Sequence, residues 1–171
     1  MDNQPAVETQ FQLAVAAAAR QADLAADHVE RLLARYATWT AKGAVHAGCR
    51  VTLLTTTPQC RPGAIVRIDH VFEAVAAGHE LYVMGPKPVY DEYVNGHLQG
   101  AAQPADGADP FTPLEYDGRV VDSPGSDANY APTYYRFPRP GRYEIQWRPG
   151  AWRSNILTIT VRAALDAADA V

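Results

Sequence analysis

Six Asp and Asn side chains between residues 106 and 129 are of the types that bind calcium. They are Asp106, Asp109, Asp117, Asp122, Asp127 and Asn129. Calcium takes about six to eight oxygen ligands, but these residues lack the ordered spacing of an EF-hand loop. Asp and Asn beside Gly, Pro and Ser also make the local hydrogen bonds that turns require. We therefore expect turns rather than a metal site here, with calcium binding as the alternative.

Three histidines, His70, His79 and His97, are the candidates for a transition-metal site. Such a site would need two or three of them at one point, with Zn–N distances of about 2.0 Å. If residues 64–73 and 79–84 pair as a hairpin, His70 lies opposite roughly residue 81, so His70 and His79 are not partners. His70 shares its strand face with apolar residues and is expected to be a hydrogen-bonded core histidine. No metal or other cofactor is predicted.

Aromatic and acidic residues in the connecting segments form a candidate ligand-binding surface. Its members are Tyr90, Asp91, Tyr93, Asp122, Asp127 and Tyr130. Flat rings bury area at low entropic cost while carboxylates fix hydroxyls or amides, which suits a sugar or a peptide. The alternative, which we favour, is that the tyrosines hold the long connecting loops against the rest of the domain.

The sequence gives little support for catalysis. Its serines are Ser123, Ser126 and Ser154, and none lies in a Gly-x-Ser-x-Gly turn. Neither cysteine has the sequence context of a nucleophile, and glycines with phosphate-loop spacing are absent. We therefore predict that the protein is not an enzyme.

The N-terminal part of the chain has the pattern of a long amphipathic helix. Residues 6–42 contain no glycine or proline, and Gly43 follows as a stop. Apolar side chains recur there at alternating steps of four and three, as in a heptad repeat: Phe11, Val15, Ala18, Ala22, Ala25, Val29, Leu32, Tyr36 and Trp39. A single helix would be about 50 Å long, longer than a β domain of about 35 Å can cover. Either it breaks near Asp23, or the stripe binds a partner.

The end of the chain has the pattern of an antiparallel hairpin. Tyr143, Ile145 and Trp147 alternate with charged and polar residues, and Leu157, Ile159 and Val161 alternate with threonines. The run Pro140-Gly-Arg-Tyr143 entering this hairpin resembles the penultimate strand of immunoglobulin-like and fibronectin-type sandwiches, where the tyrosine caps the corner. The resemblance is one of architecture and implies no activity.

The sequence predicts a mainly β domain of about seven antiparallel strands over residues 49–162. A helical segment precedes it (1–48) and a short tail follows it (163–171). Further strands are expected at Arg50–Thr56, at 64–73, at His79–Met84, near Arg119–Val121 and at Thr133–Phe137, with residues 85–131 mostly a connecting segment. The predicted core comprises Val66, Ile68, Phe72, Leu81, Val83, Tyr143, Ile145, Trp147, Leu157 and Ile159.

Composition narrows the class of protein further. A formal charge of −4 argues against a general nucleic-acid binder, and no apolar run is long enough to span a bilayer. Asp2 and Glu8 stand where a secretory signal would carry basic residues. An extended segment between Cys49 and Cys60 would hold them beyond the ~7 Å limit for a disulfide. We expect free thiols and a place in the cytoplasm or inside a larger assembly.

These observations favour a non-catalytic assembly or binding module. It would self-associate or dock on a larger protein through its N-terminal helix and present loops from a β-sandwich. Two alternatives remain: a ligand-recognition domain for a sugar, peptide or calcium ion, and an accessory subunit or inhibitor of an enzyme. No nucleic-acid or membrane partner is expected.

Overall fold

The structure is a computed structural model that describes residues 26–83, 86–102 and 119–163. The described chain is mainly β, with helix α1 (Ala26–Thr38) preceding the strands. The strands are β1 (Cys49–Leu54), β2 (Gln59–Cys60), β3 (Ile65–Ala74), β4 (Glu80–Val83), β5 (Glu92–Val94), β6 (His97–Gln99), β7 (Arg119–Asp122), β8 (Gly125–Asp127), β9 (Thr133–Arg136), β10 (Gly141–Trp147) and β11 (Leu157–Val161).

The strands form three sheets. A four-stranded sheet contains β1, β3, β8 and β9, with β3 pairing to the other three. A five-stranded sheet has the order β2-β11-β10-β5-β6, and β4 pairs with β7 alone. The β2–β11 pair is parallel, whereas the predicted hairpin of β10 and β11 is antiparallel and is confirmed, with Tyr143 opposite Ile159.

The two larger sheets contribute side chains to one hydrophobic core, an arrangement compatible with a β-sandwich. Val51 and Phe72 enter it from the four-stranded sheet, and Ile145 and Ile159 enter it from the five-stranded sheet. Nine of the ten predicted core residues are buried, and only Val83 is half-exposed. Alternation explains the success, because inward and outward side chains of a strand are fixed by its period of two. Val83 ends β4, which among the described strands has β7 as its only ladder partner.

Helix α1 covers the opposite face of the four-stranded sheet. Leu32 and Tyr36 form a second cluster with Leu54, Val71 and Ala128. Leu54 and Val71 point away from the main core because their neighbours Leu53 and Phe72 point into it. The sheet therefore lies between the helix and the main core.

The helix ends before Gly43, where the sequence predicts its stop. It ends at Thr38, and the stripe residues Phe11, Val15, Ala18, Ala22 and Ala25, with the possible break at Asp23, lie outside the described residues. The described stripe residues Val29, Leu32, Tyr36 and Trp39 contact this chain's own sheet. An apolar stripe along one side of a helix can pack against a sheet as well as against a partner helix. The sequence of the stripe does not distinguish between these two arrangements.

Gly43 has a different role from the helix stop predicted for it. The chain crosses β1 there, and a Cβ on Gly43 would lie 2.0 Å from the Val51 carbonyl oxygen. Only glycine permits so close an approach of two backbones. The Gly43 amide donates to Thr52 Oγ1 at 3.1 Å, which anchors the crossing.

The pairing of the middle strands was predicted wrongly. β3 and β4 do not form a hairpin, since β4 pairs with β7 and His70 lies opposite Leu53. The supposed connecting segment also contains β5, β6 and β8. Asn95 and Gly96, with φ of 49° and 80°, form the tight turn between β5 and β6, and Asn-Gly is the usual sequence of such turns.

Two smaller predictions are confirmed. The Tyr143 hydroxyl donates to the Arg139 carbonyl at 2.9 Å, so this tyrosine holds the corner that leads into β10. Cys49 and Cys60 are free thiols, and Cys49 is buried.

Candidate functional site

The residues predicted to bind a ligand separate into two groups, and Asp122 joins neither. Tyr90, Asp91 and Tyr93 run along the edge of β10. Asp127 and Tyr130 surround Lys87, while Asp122 is exposed on β7 opposite Glu80.

The first group is fixed to β10 through its backbone. Trp147 Nε1 donates to the Tyr90 carbonyl at 2.9 Å, and the Arg148 amide donates to the Asp91 carbonyl at 2.9 Å. Asp91 has a φ of 56°, the left-handed conformation in which Asp is among the better tolerated residues. This path leads the chain into β5 with Glu92 facing inward and Tyr93 facing outward.

Tyr93 lies on the outer face of the five-stranded sheet beneath an arginine. The Arg148 guanidinium carbon is 4.4 Å from the centre of the Tyr93 ring, and Arg148 Nε donates to Gln146 Oε1 at 2.8 Å. Tyr93 is opposite Gln146 on one side and Leu98 on the other. These contacts orient the arginine before any partner binds.

We call this surface the open face and define it by Tyr93, Leu98, Gln146, Arg148 and Ile156. Leu98 and Ile156 are 42% and 56% exposed, although both are large apolar side chains. Ile156 precedes β11, one residue beyond the pairing of Ile145 with Leu157. The open face thus combines exposed aliphatic groups with a tyrosine and a stacked arginine.

The second group is buried and cannot form a surface site. Asp127 and Tyr130 are 2% and 5% exposed. Lys87 Nζ contacts Asp127 Oδ2, donates to the Tyr82 carbonyl at 2.9 Å and lies 4.6 Å from the Tyr130 ring centre. Tyr130 also packs edge-on against Trp147, with ring centres 5.2 Å apart. Tyr130 therefore holds its segment against the core. This is the role that the sequence analysis favours for the tyrosines, in place of ligand binding.

A buried polar cluster links the two larger sheets. His70 on β3 donates from Nε2 to Glu92 Oε2 on β5 at 2.6 Å. The other carboxylate oxygen accepts from Thr133 at 2.7 Å and from the Tyr135 hydroxyl. His70 also packs edge-on against Trp147, with ring centres 5.0 Å apart. His70 is thus the hydrogen-bonded core histidine that the sequence predicted.

Electrostatics set the protonation of this cluster. Burial alone would raise the pKa of Glu92, but His70 and the hydroxyls of Tyr135 and Thr133 together hold that pKa below its ordinary value. Burial, reinforced by the Glu92 carboxylate, raises the pKa of Tyr135 well above its usual range. The cluster therefore contains a carboxylate that accepts and a phenol that donates.

Polar contacts also join α1 to the sheet. Asp69 accepts from Arg35 at 2.6 Å and from Arg67 at 2.7 Å, and Arg67 contacts His28. Glu73 accepts from Arg50 at 2.5 Å and from the Tyr36 hydroxyl.

The pKa values of Tyr36 and Glu73 shift in opposite directions. Burial and Glu73 raise the pKa of Tyr36 to about 12. Burial would raise the pKa of Glu73, but the hydrogen bonds from Arg50 and Tyr36 lower it below its ordinary value. At neutral pH the phenol therefore keeps its proton and the carboxylate stays charged.

His70 with Glu92 and Lys87 with Asp127 are thus buried and paired with one another. Within residues 26–83, 86–102 and 119–163 there is no group of three side chains that could hold a metal ion. The three candidate calcium ligands Asp106, Asp109 and Asp117 lie outside those ranges. No helix in the described part of the chain has the length and apolar character needed to cross a membrane.

Sequence reasoning missed the partners of Glu92 and Lys87. Both residues stand in a polar stretch that was interpreted as a loop, and nothing local to them identifies His70 or Asp127. One signal did exist: Asn95-Gly96 between short apolar runs indicates a hairpin. That hairpin would have placed Glu92 and Tyr93 on opposite faces of a sheet.

Comparison with known proteins gives no guide to function. No protein family, no curated protein and no solved structure matches this chain. Function is therefore inferred from the contacts and surfaces of the chain itself.

Proposed function

We propose that this protein is a non-catalytic binding module that recognises another protein through its open face. The observation that carries the proposal is the Arg148–Tyr93 stack, flanked by exposed Leu98 and Ile156. Tyrosine and arginine are the residue types enriched at the energetic centres of protein interfaces. An arginine already held in place by Gln146 loses less side-chain entropy on binding.

The two outer faces of the larger sheets differ, which supports the same choice. Helix α1 covers the four-stranded sheet through Leu32 and Tyr36. The five-stranded sheet instead presents Arg142, Glu144 and Thr158 together with the open face. We propose that the whole is an immunoglobulin-like sandwich with one side closed by its own helix and the other side left for a partner.

The absence of catalysis remains part of the proposal. His70, Glu92, Lys87 and Asp127 are all buried and are bonded to each other in pairs. A general acid or base must reach its substrate, either directly or through one water molecule. Groups in this position act through the stability of the fold.

Site-specific photo-crosslinking tests the proposal. A photoreactive amino acid replaces Leu98 or Ile156 on the open face, and in a control protein it replaces Glu30, which is exposed on α1. Each protein is irradiated in a lysate of the source cells. We expect the same discrete adduct from positions 98 and 156 and none from position 30.

Competition separates specific from adventitious adducts. An excess of the unmodified protein should suppress the adduct, whereas the double variant Tyr93→Ala with Arg148→Ala should not, provided that its circular dichroism remains β-rich. Equal labelling from position 30, or equal competition by the double variant, would show that the open face is not the binding surface.

A further inference from the structure

Three arginines lie together at one end of the five-stranded sheet. Cys60 pairs with Val161, and the Arg162 amide donates to the Cys60 carbonyl at 2.9 Å, so the β2–β11 pairing continues to Arg61 beside Arg162. Arg142 lies on the neighbouring β10, opposite Thr160. We call Arg61, Arg142 and Arg162 the basic corner.

All three side chains project from the side of the five-stranded sheet that also carries the open face. Val161 and Tyr143 are buried in the core, so the residues next to them on each strand face outward. Arg61, Arg142 and Arg162 are exposed accordingly. Arg148 directly follows β10 and, being six residues beyond Arg142, faces the same side of the sheet, with Glu144 and Gln146 between the two arginines.

In the basic corner the positive charges of Arg61 and Arg162 lie beside each other on neighbouring strands, an arrangement that does not stabilise the fold. Directly opposed like charges on neighbouring strands destabilise a sheet. Arg142 Nη2 has Glu144 Oε1 at 3.0 Å. In the part of the chain that the structure describes, the guanidinium groups of Arg61 and Arg162 have neither a hydrogen bond nor an ion pair. Departures from local rules of this kind are expected at functional sites.

We infer that the basic corner binds a carboxylate-rich segment of the partner protein. This inference rests on the proposed function and adds the chemistry of the partner to it. The guanidinium group binds a carboxylate through two parallel N–H donors, a geometry that lysine cannot provide. The sequence has two lysines, Lys42 and Lys87, and neither belongs to the basic corner.

A nucleic acid is the other polyanion that such a corner could bind, and the charge of the chain disfavours it. Duplex DNA carries about one negative charge per 1.7 Å, so most of its charge would lie over the rest of a protein whose net charge is −4. A short acidic segment instead interacts mainly with the arginines of the basic corner, because charges more than about 8 Å away are screened at physiological salt.

Fluorescence anisotropy with a labelled hexaglutamate peptide tests the inference on the full-length protein. We expect saturable binding that weakens as sodium chloride is raised. The double variant Arg61→Ser with Arg162→Ser should bind about tenfold more weakly, the combined effect of two exposed ion pairs. The matched control, Arg31→Ser with Arg119→Ser, removes the same charge from two other exposed positions and should bind as the unmodified protein does.

Three results would overturn the inference. One is an equal loss of affinity in both double variants, which would indicate net charge alone. Another is equal or tighter binding of a labelled oligonucleotide of the same charge. The third is peptide binding that emerges only after Asp166→Asn with Asp169→Asn, which would make the chain's own tail the occupant. The peptide assay tests the basic corner without the natural partner, whereas crosslinking at positions 98 and 156 tests the open face. A lack of peptide binding can therefore be distinguished from a lack of crosslinking.

Discussion

At the scale of single residues, the most consequential group is the Glu92 carboxylate. It is 2% exposed, yet it stays charged because His70, Thr133 and Tyr135 all bond to it. A buried charge is costly unless it is paired and hydrogen-bonded. The cluster of Glu92, His70, Thr133 and Tyr135 therefore bonds β5 of the five-stranded sheet to β3 and β9 of the four-stranded sheet.

Replacing Glu92 with Gln should destabilise the fold by about 3 kcal/mol, because it removes the buried charge and presents an N–H donor where one carboxylate oxygen now accepts a hydrogen bond. Urea denaturation monitored by tryptophan fluorescence measures the change. Glu144→Gln is the matched control, since its pair with Arg142 is exposed and should contribute less than about 1 kcal/mol. Equal effects of the two substitutions would show that the buried cluster is not a stabilising feature.

Stability should also fall in acid. The pKa values of Glu92 and Glu73 are lower in the folded protein than their ordinary value. A depressed pKa stabilises the fold above the unfolded value, near pH 4.3, and that contribution disappears as the pH falls through the folded value. Urea midpoints at pH 6 and pH 3 should therefore differ less for Glu92→Gln than for the unmodified protein. The same difference in both proteins would contradict the assignment.

At the scale of elements, α1 depends on the sheet beneath it. A helix of thirteen residues is marginal in water by itself, and its stability comes from the face that it buries. Leu32 and Tyr36 provide that face, and Asp69 and Glu73 bond to Arg35 and Tyr36 beside it. We therefore expect the helix to be stable only when it is packed on β1 and β3.

Leu32→Ala should cost about 2–5 kcal/mol, since Leu32 is 4% exposed and its loss leaves a cavity above Leu54 and Val71. Hydrogen exchange should show residues 26–38 opening before the sheets. Arg31→Ala, on the exposed side of α1, should change stability by less than about 0.5 kcal/mol. Unchanged protection of the helix in Leu32→Ala would show that the contact with the sheet does not hold it.

At the scale of the whole molecule, one side of the structure is closed by its own helix and the other carries the open face and the basic corner. Both surfaces lie on the same side of the five-stranded sheet, the basic corner with Arg142 near the start of β10 and the open face with Arg148 just after its end. Association could thus begin with charge and be completed by apolar contact at Leu98 and Ile156, a division of roles that is common at protein interfaces.

Self-association through the N-terminal stripe remains a prediction. An acidic residue at Leu32 could not test this prediction, because Leu32 packs in the protein's own core. Phe11→Asp with Val15→Asp is the suitable variant, and it should convert an oligomer into a monomer with the β-rich circular dichroism retained. Light scattering measures the mass. If the unmodified protein is a monomer at tens of micromolar, these residues do not join copies of the chain.

The sequence by itself determined which residues face the core. The alternation along β3, β10 and β11 is a local property of the chain, and the burial of Ile68, Ile145 and Ile159 follows from it directly. The free thiols were predicted from the length of the extended segment between Cys49 and Cys60, and the capped corner at Tyr143 from the resemblance to sandwich strands.

Only the tertiary structure decided which strands pair and which charges meet. His70 and Glu92 are 22 residues apart and Lys87 and Asp127 are 40 residues apart. The same holds for α1, whose apolar stripe fits a partner or its own sheet equally well. Pairing of this kind depends on the register of strands distant in sequence, and a residue's neighbours along the chain carry no record of it.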